Sequence, residues 1–253
     1  ANRYRIGDVL EACHYYYEKT GRRLTFEYSL VAGVNDTPED AVQLSALAGP
    51  LNCHVNLIPV NPIKERNYRQ SGQEEILAFL KKRKGILDGV CISGGEPTLA
   101  TELPEFLSRI RELGYDVKLD TNGSRPSVVK NLAAANLINK VAMDIKACPS
   151  NYPVLTGVHA DLDGIRETAG WLLDGHLDYE FRTTVVRELH SEKDFQEISR
   201  WLSGAKAYYL QAYRDSDGVL MPGFSACSEK EMKNYRDILS QTIPVVEIRG
   251  MEL

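Results

Sequence analysis

The side chains that could do chemistry in this 253-residue chain stand directly after short apolar segments. Gly94 and Gly95 follow one such segment, and two adjacent glycines let the backbone approach a ligand closely. Glu96 comes next and adds a carboxylate that could accept hydrogen bonds or act as a base. The alternative is an ordinary strand-to-helix turn in which Pro97 begins the exit. The stretch is therefore a candidate ligand-binding turn.

Oxygen-bearing side chains follow two further apolar segments, at Asp120, Thr121 and Asp144. Hard oxygen ligands at the ends of neighbouring strands could hold a monovalent or divalent cation. Alternatively, the two aspartates form ordinary ion pairs with basic side chains nearby. Lys146 and Arg182 could fix the carboxylate of a ligand, the arginine through two parallel hydrogen bonds. Together these residues predict a site for a small molecule.

A strict alternation of helix and strand patterns positions these residues. Apolar or β-branched segments predict eight strands, near 24–31, 53–59, 89–93, 116–120, 139–145, 178–186, 206–212 and 244–249. A first helix spans about 7–19 and ends at Gly21. Later helices begin at cap signals: Thr37 before Pro38, Ser71 with Glu74, Ser191 with Asp194, and Ser228 with Glu231.

Eight strands alternating with eight helices imply parallel strands, in the number that a closed (βα)8 barrel requires. We therefore expect a single α/β domain over residues 1–253, with TIM-like barrel architecture. An open doubly wound sheet fits the same alternation. In a barrel the loops after the strands meet at one rim, so the candidate residues would converge there. Asn122 at that rim could hydrogen-bond a ribose hydroxyl, although Asn-Gly is also a preferred turn dipeptide.

Composition narrows the classes of partner. A formal net charge of −5 provides no general attraction to nucleic acid, since phosphate binding needs an excess of Lys and Arg. No apolar run approaches the roughly 20 residues that cross a bilayer. Five well-separated cysteines suggest free thiols in a reducing compartment. We expect a soluble cytoplasmic protein that binds a small molecule at most, with no nucleic-acid or membrane partner; the oligomeric state stays open.

The motif GGEP at 94–97, followed by LDTNG at 119–123, resembles the radical S-adenosylmethionine (radical SAM) enzymes. The resemblance implies that the GGEP turn meets the amino group of the SAM methionine. Related glycyl-radical activating enzymes have a cation beside the cofactor carboxylate, at the position of Asp120, Thr121 and Asp144. The family holds a four-iron four-sulfur cluster on three cysteines in the pattern C-x-x-x-C-x-x-C, which this sequence lacks. We therefore expect no iron–sulfur cluster and no reductive cleavage of SAM.

The resemblance is to two families joined end to end. Residues of roughly 5–70 resemble the C-terminal part of the radical SAM RNA adenine methyltransferases, and residues of roughly 73–251 resemble the activating enzymes of anaerobic ribonucleotide reductases. The first match rests on 17–28, 33–36 and 53–62, and the second on 92–98, 119–123, 142–147, 179–186 and 246–250. The chain thus divides into segments 1–72 and 73–253 within one barrel.

This division favours an engineered chimera, because two imported strands would complete the partial barrel of a radical SAM core. The main hypothesis is a barrel without radical catalysis that keeps weak SAM binding at its C-terminal rim. We expect that it is not an enzyme, and that it does not cleave SAM reductively, because the cluster cysteines are missing. The alternatives are a partly open radical SAM-type barrel, and a natural cluster-free radical SAM-like enzyme or SAM-dependent transferase.

Two further residues are implied by the methyltransferase resemblance. Asn56 and Asn61 lie in a segment that passes near the adenine end of SAM in that family. The alternative for both is a structural turn around the neighbouring prolines. His190 matches the pattern of the activating enzymes, but Arg187 stands where that pattern has a proline. We therefore expect His190 to be a surface residue before a helix.

Overall fold

The structure is a computed structural model that describes residues 4–21, 23–51, 53–59, 71–82, 87, 89–156, 162–214 and 223–251. Its strands are β1 (Leu24–Leu30), β2 (Cys53–Pro59), β3 (Gly89–Ile92), β4 (Asp116–Thr121), β5 (Lys140–Asp144), β6 (Asp178–Val185), β7 (Tyr208–Ala212) and β8 (Val246–Arg249). Its α-helices are α1 (Ile6–Thr20), α2 (Pro38–Ala48), α3 (Gln73–Lys81), α4 (Leu103–Glu112), α5 (Pro126–Ala134), α6 (Tyr152–Thr156), α7 (Leu162–Leu173), α8 (Glu192–Trp201) and α9 (Glu229–Leu239). Among these described helices, none is long and apolar enough to cross a membrane.

Helix ends follow the local signals in the sequence. Reciprocal capping boxes begin three of the helices, at Thr37, Ser191 and Ser228. Gly21 ends α1 with a left-handed φ of 63°, which a glycine adopts without strain. The predicted cap at Ser71 is wrong, because α3 begins after Gly72. The Ser71 hydroxyl instead donates to Asp36 Oδ2 at 2.9 Å, a buried contact between distant segments.

The chain divides into two compact units, and the first comprises residues 1–91 and 105–116. In this unit β1 and β2 pair in parallel, in a register that runs from Leu24 opposite Cys53 to Leu30 opposite Pro59. A small core contains the fully buried Leu30, Ala41 and Phe79. No residue of α1 is buried.

The second unit comprises residues 92–104 and 117–253 and contains most of the larger sheet. That sheet has six strands in the order β3-β4-β5-β6-β7-β8, with parallel pairing in every register from β4 to β8. Successive side chains on a strand point to opposite faces, and here the two faces differ in chemistry. One face carries fully buried apolar side chains: Leu119, Val141, Met143, Phe181 and Leu210. The other face carries charged side chains: Lys118, Asp120, Lys140, Asp144, Glu180 and Arg182.

The α/β class is confirmed, but a closed barrel of eight strands is not what the described residues form. Their strands pair as one sheet of two and one sheet of six. Alternation of helix and strand predicts parallel strands, but it does not specify which strands pair at the edges of the sheet. The prediction of a closed barrel therefore rested on the number of strands alone. The charged face adds a physical reason, because the interior of a closed (βα)8 barrel is packed mainly with branched apolar side chains.

Candidate functional site

The candidate residues that the structure describes in full lie in the second unit. Gly94, Gly95 and Glu96 follow β3, and Asn122 follows β4. Asp120 and Thr121 end β4, Asp144 ends β5, Lys146 follows it, and Arg182 lies within β6. Because these strands are consecutive neighbours in a parallel sheet, their carboxyl ends share one edge.

The Glu96 carboxylate joins the turn after β3 to the turn after β4. Its Oε1 accepts hydrogen bonds from the Thr98 amide at 3.2 Å and from the Thr121 hydroxyl at 2.8 Å. Its Oε2 accepts from the Asn122 amide at 2.6 Å. Both carboxylate oxygens are therefore occupied by the protein. This geometry assigns Glu96 to holding the two turns in place, and it leaves the carboxylate poorly available as a base.

The backbone of Gly94 and Gly95 borders open space. Both glycines are exposed, and a Cβ built on either would meet no atom within 4 Å. Gly94 has a φ of 147°, a conformation that residues with a side chain rarely adopt. The hydrogen bonds of Glu96 fix this turn, and the backbone of both glycines borders open space. A ligand could therefore approach that backbone closely.

Arg182 lies between two carboxylates at the same edge. Its Nη1 donates to Asp120 Oδ2 at 3.0 Å, and its Nε donates to Asp144 Oδ1. Lys146 Nζ donates to the other oxygen of Asp144 at 2.7 Å. Burial alone would raise the pKa of Asp144, but Lys146 and Arg182 outweigh it and hold that pKa below its ordinary value. We call these four residues the Arg182 network.

The three residues predicted to hold a cation have partners within the protein, and the cation site stays a prediction. Thr121 Oγ1 is engaged with Glu96 and with the Gly123 amide. Asp120 and Asp144 make the ion pairs that were the alternative interpretation. Asp120 Oδ1 receives no hydrogen bond, although Lys118 Nζ lies 3.4 Å away as an ion-pair partner. Among the described residues, no group of three or more His, Cys, Asp or Glu side chains could hold a metal ion.

A second charged cluster on the same face was missed from the sequence. Glu180, with only 5% of its side chain exposed, lies 3.4 Å from Lys118 Nζ, 3.1 Å from Lys140 Nζ and 3.4 Å from Arg249 Nη1. Burial would raise the pKa of Glu180, but the three cations outweigh it and lower that pKa. We call these four residues the Glu180 network. Its signal in the sequence is the spacing of Glu180 two residues before Arg182, which places both on one face of β6.

The structure describes the three predicted asparagines, Asn56, Asn61 and Asn122, to different extents. Asn122 Oδ1 accepts a hydrogen bond from the Ser124 amide at 2.9 Å, which is the turn geometry given as the alternative. Asn56 pairs with Glu27 in the register of β1 and β2, in the first unit. The Asn56 side chain and the whole of Asn61 lie outside the described residues.

His190 is buried, contrary to the expectation of a surface residue, with 6% exposure. Its Nδ1 lies 3.1 Å from the Val186 amide and its Nε2 lies 3.1 Å from the Lys146 carbonyl. Its ring also stacks on Phe195. No local pattern around His190 indicates this burial, because the partners that bury the ring come from other elements.

The five cysteines are all free thiols, and among the described residues they do not lie together in a group that could bind a metal ion. Cys148 and Cys227 are buried, and Cys13, Cys53 and Cys91 are partly exposed. Burial raises the pKa of Cys148, whose thiol donates to Asp194 Oδ1 at 3.0 Å. A cluster ligand must be a thiolate with other cysteines beside it. In the part of the chain that the structure describes, these cysteines do not meet that requirement.

The whole sequence is similar in part to a known protein family and to several named proteins. A family model described as Radical SAM superfamily matches residues 53–202, more than half of the chain. Proteins named "Probable dual-specificity RNA methyltransferase RlmN" are also similar. The protein of Lachnospira eligens is 60% identical over 82 residues, which are 32% of this chain and 23% of that protein. The protein of Clostridium perfringens is 46% identical over 131 residues, which are 52% of this chain and 33% of that protein.

Solved structures resemble the fold at low sequence identity. Streptococcus suis SuiB bound to S-adenosylmethionine superposes with a TM-score of 0.59 at 12% identity, covering 96% of this chain and 55% of that one. A domain of pyruvate-formate lyase-activating enzyme from Bacteroides vulgatus gives a TM-score of 0.51 at 20% identity, covering 64% of this chain and 99% of that domain. These similarities concern the fold alone.

The prediction of an engineered chimera without radical catalysis is wrong. Stretches of natural bacterial proteins are 60% and 63% identical to this chain, so the similarity points to a natural enzyme. The expectation of a cluster-free protein also conflicts with the family match, because the family uses an iron–sulfur cluster. The division into segments 1–72 and 73–253 is not tested by these matches and stays a prediction.

Proposed function

The chain belongs to the radical SAM superfamily, and from this premise we propose that it is a natural SAM-dependent transferase whose cofactor binds at the carboxyl edge of the six-stranded sheet. Bound SAM would supply a methyl group activated by a sulfonium. The residues of the chain would bind and orient the methionine end of the molecule. The chain spans about a quarter to a third of the curated relatives, so the activity of those whole proteins is part of this proposal.

The observation that carries the proposal is the attachment of the Gly94–Gly95 turn through Glu96. The Glu96 carboxylate bonds to both the Thr121 hydroxyl and the Asn122 amide, so the turns after β3 and β4 are fixed together. The glycine backbone meanwhile borders open space. Such a turn offers carbonyl oxygens to the ammonium group of an amino acid without having to reorganise.

Lys146 is the cation best placed for the carboxylate of the same amino acid. Half of its side chain is exposed, against 16% for Arg182. Arg182 already donates to Asp120 and Asp144, so it has less capacity for a ligand. We assign Lys146 to direct contact with the SAM carboxylate. Arg182 then holds the two aspartates in position and helps to keep the pKa of Asp144 low.

The proposals for the transferred group and its acceptor rest on the names of the similar proteins. Their printed names describe RNA methyltransferases, so we propose methyl transfer with RNA as the first acceptor to be tried. The prediction from the net charge of −5, a small-molecule partner at most and no nucleic acid, is the alternative and stays a prediction. The five cysteines do not fit a four-iron cluster, so no step of this proposal passes through one.

Calorimetric titration of the purified protein tests the binding step. We expect SAM to bind with a dissociation constant near 1 µM, about −8 kcal/mol. S-adenosylhomocysteine, which keeps the amino acid, should bind comparably, whereas methylthioadenosine, which lacks it, should bind far more weakly. Absence of heat with SAM would contradict the proposal. Transfer of label from methyl-labelled SAM to RNA, or to small molecules, then identifies the acceptor.

A further inference from the structure

The backbone immediately after β5 is held by one backbone hydrogen bond to β6 and by side chains. The Ile145 amide donates to the Arg182 carbonyl at 2.8 Å, and the Ile145 carbonyl accepts from Thr183 Oγ1 at 2.6 Å. Thr183 has one hydroxyl proton and gives it to Ile145, so the fully buried Tyr208 must donate its own proton to Thr183. Residue 145 is therefore fixed from β6 and β7.

The next residue, Lys146, is held in the same way on both sides. Its amide donates to Tyr152 Oη at 2.9 Å. Its carbonyl lies 3.1 Å from His190 Nε2. Both partners are buried, with 1% exposure for Tyr152 and 6% for His190. Lys146 thus has a fixed backbone while half of its side chain is exposed.

The hydrogen bonds define which nitrogen of His190 carries the proton. Nδ1 lies 3.1 Å from the Val186 amide nitrogen, which can only donate, and 3.2 Å from the Val186 carbonyl oxygen, which can only accept. The Lys146 carbonyl can only accept, so Nε2 must donate to it. Nε2 therefore carries a proton, an assignment made from its partner. Each ring nitrogen has a separate role that a substitution can imitate.

We propose that His190 is a positioning residue for the SAM site: it fixes the Lys146 carbonyl and thereby the backbone from which the lysine reaches the cofactor carboxylate. This inference rests on the proposed function. The Lys146 side chain has four rotatable bonds, so a mobile backbone would add further freedom that binding must remove. Because the Lys146 backbone is held at both its amide and its carbonyl, the entropy cost of ordering that backbone is not added to the cost of binding SAM.

Two substitutions of His190 separate its two hydrogen bonds. In His190→Gln, the side-chain amide nitrogen can take the place of Nε2 and donate to Lys146. In His190→Asn, the amide oxygen can take the place of Nδ1 and accept from Val186, but the donor to Lys146 is lost. We expect His190→Asn to weaken SAM binding about tenfold, the factor of one lost buried hydrogen bond, and His190→Gln to stay within about threefold of the wild type. The matched control is His176→Asn at an exposed histidine.

Thermal unfolding and hydrogen exchange of the peptide covering 144–150 accompany the titrations. A merely structural role would make the affinity of both variants follow their melting temperatures. The positioning role instead predicts that His190→Asn loses exchange protection and affinity, while His190→Gln keeps both at a similar melting temperature. Equal SAM affinity in folded His190→Asn and wild type would overturn the inference.

Tyr152→Phe approaches the same turn from the other side and decides the matter if His190→Asn does not fold. It removes only the hydroxyl that accepts from the Lys146 amide. We expect it to weaken SAM binding about tenfold. Undiminished binding would overturn the inference. A wild-type protein that binds no SAM would instead contradict the proposed function, and the inference with it, so the two failures are distinguishable.

Discussion

Arg182 and Glu180 lie two residues apart on the same face of β6, and these two residues of opposite charge are the centres of separate ion-pair networks. Arg182 is a cation between two carboxylates, whereas Glu180 is a carboxylate among three cations. Glu180 is the more buried, with 5% of its side chain exposed against 16% for Arg182. The difference lies in what surrounds each centre.

The Arg182 network lies at the carboxyl edge of the sheet and includes the half-exposed Lys146. It can therefore meet a ligand. The Glu180 network joins residues from β4, β5, β6 and β8, and its central carboxylate is enclosed by them. Similar ion pairs on one face of a strand thus differ in access, because Lys146, with 50% of its side chain exposed, is the most exposed cation of the two networks.

The largest expected effect is on folding, from Glu180→Ala. The substitution leaves three cations without their shared partner, so the free energy of unfolding should fall by about 3 kcal/mol. Urea denaturation measures it, with Glu247→Ala at an exposed position of β8 as the control. A loss below about 1 kcal/mol would mean that solvent screening already neutralises this network.

Arg182→Met should affect both folding and binding. It removes the cation that Asp120 and Asp144 share and leaves each of them with one lysine, Lys118 or Lys146, which should lower the free energy of unfolding by about 2 kcal/mol. SAM affinity should also fall, since the aspartates are no longer held. Arg187→Met breaks a more exposed ion pair with Glu231 and should change stability by less than about 0.5 kcal/mol. Similar effects of the two arginine substitutions would remove the distinction drawn for the Arg182 network.

Acid should weaken the folded state through both networks. The pKa of Asp144 is held below its ordinary value of 3.8, and that of Glu180 below 4.5. Their ionised forms favour folding, so this stability is complete above those ordinary values and is lost as pH falls through the lowered ones. Glu180→Gln should flatten the stability profile in this acid range by about 1 kcal/mol. An unchanged slope would show that other carboxylates govern acid unfolding.

Local features of the fold were predictable from the sequence. Each predicted strand overlaps an observed one, and the caps at Thr37, Ser191 and Ser228 are present, because apolar alternation and capping depend on neighbouring residues. The edge pairing of the strands was not predictable, nor was the burial of His190. Both depend on contacts between residues far apart in the sequence, which no local pattern encodes.

The candidate site was predicted in the same partial way. The motifs located the residues around Glu96, Asp144 and Arg182, since chain order and parallel strands bring them to one edge. Their roles were not predictable. Glu96 joins two turns, and Arg182 binds two aspartates. Whether each side chain can bind a ligand therefore depends on hydrogen-bond partners that the sequence alone does not identify.

The most direct test is the SAM affinity of Lys146→Met beside that of Lys140→Met. Both lysines lie on or just after β5 and pair with carboxylates, but Lys146 belongs to the Arg182 network and Lys140 to the Glu180 network. We predict that Lys146→Met weakens SAM binding at least about tenfold, and that Lys140→Met leaves it within about twofold while lowering stability. Equal SAM affinities for the two variants would contradict the assignment of the cofactor to the Arg182 network.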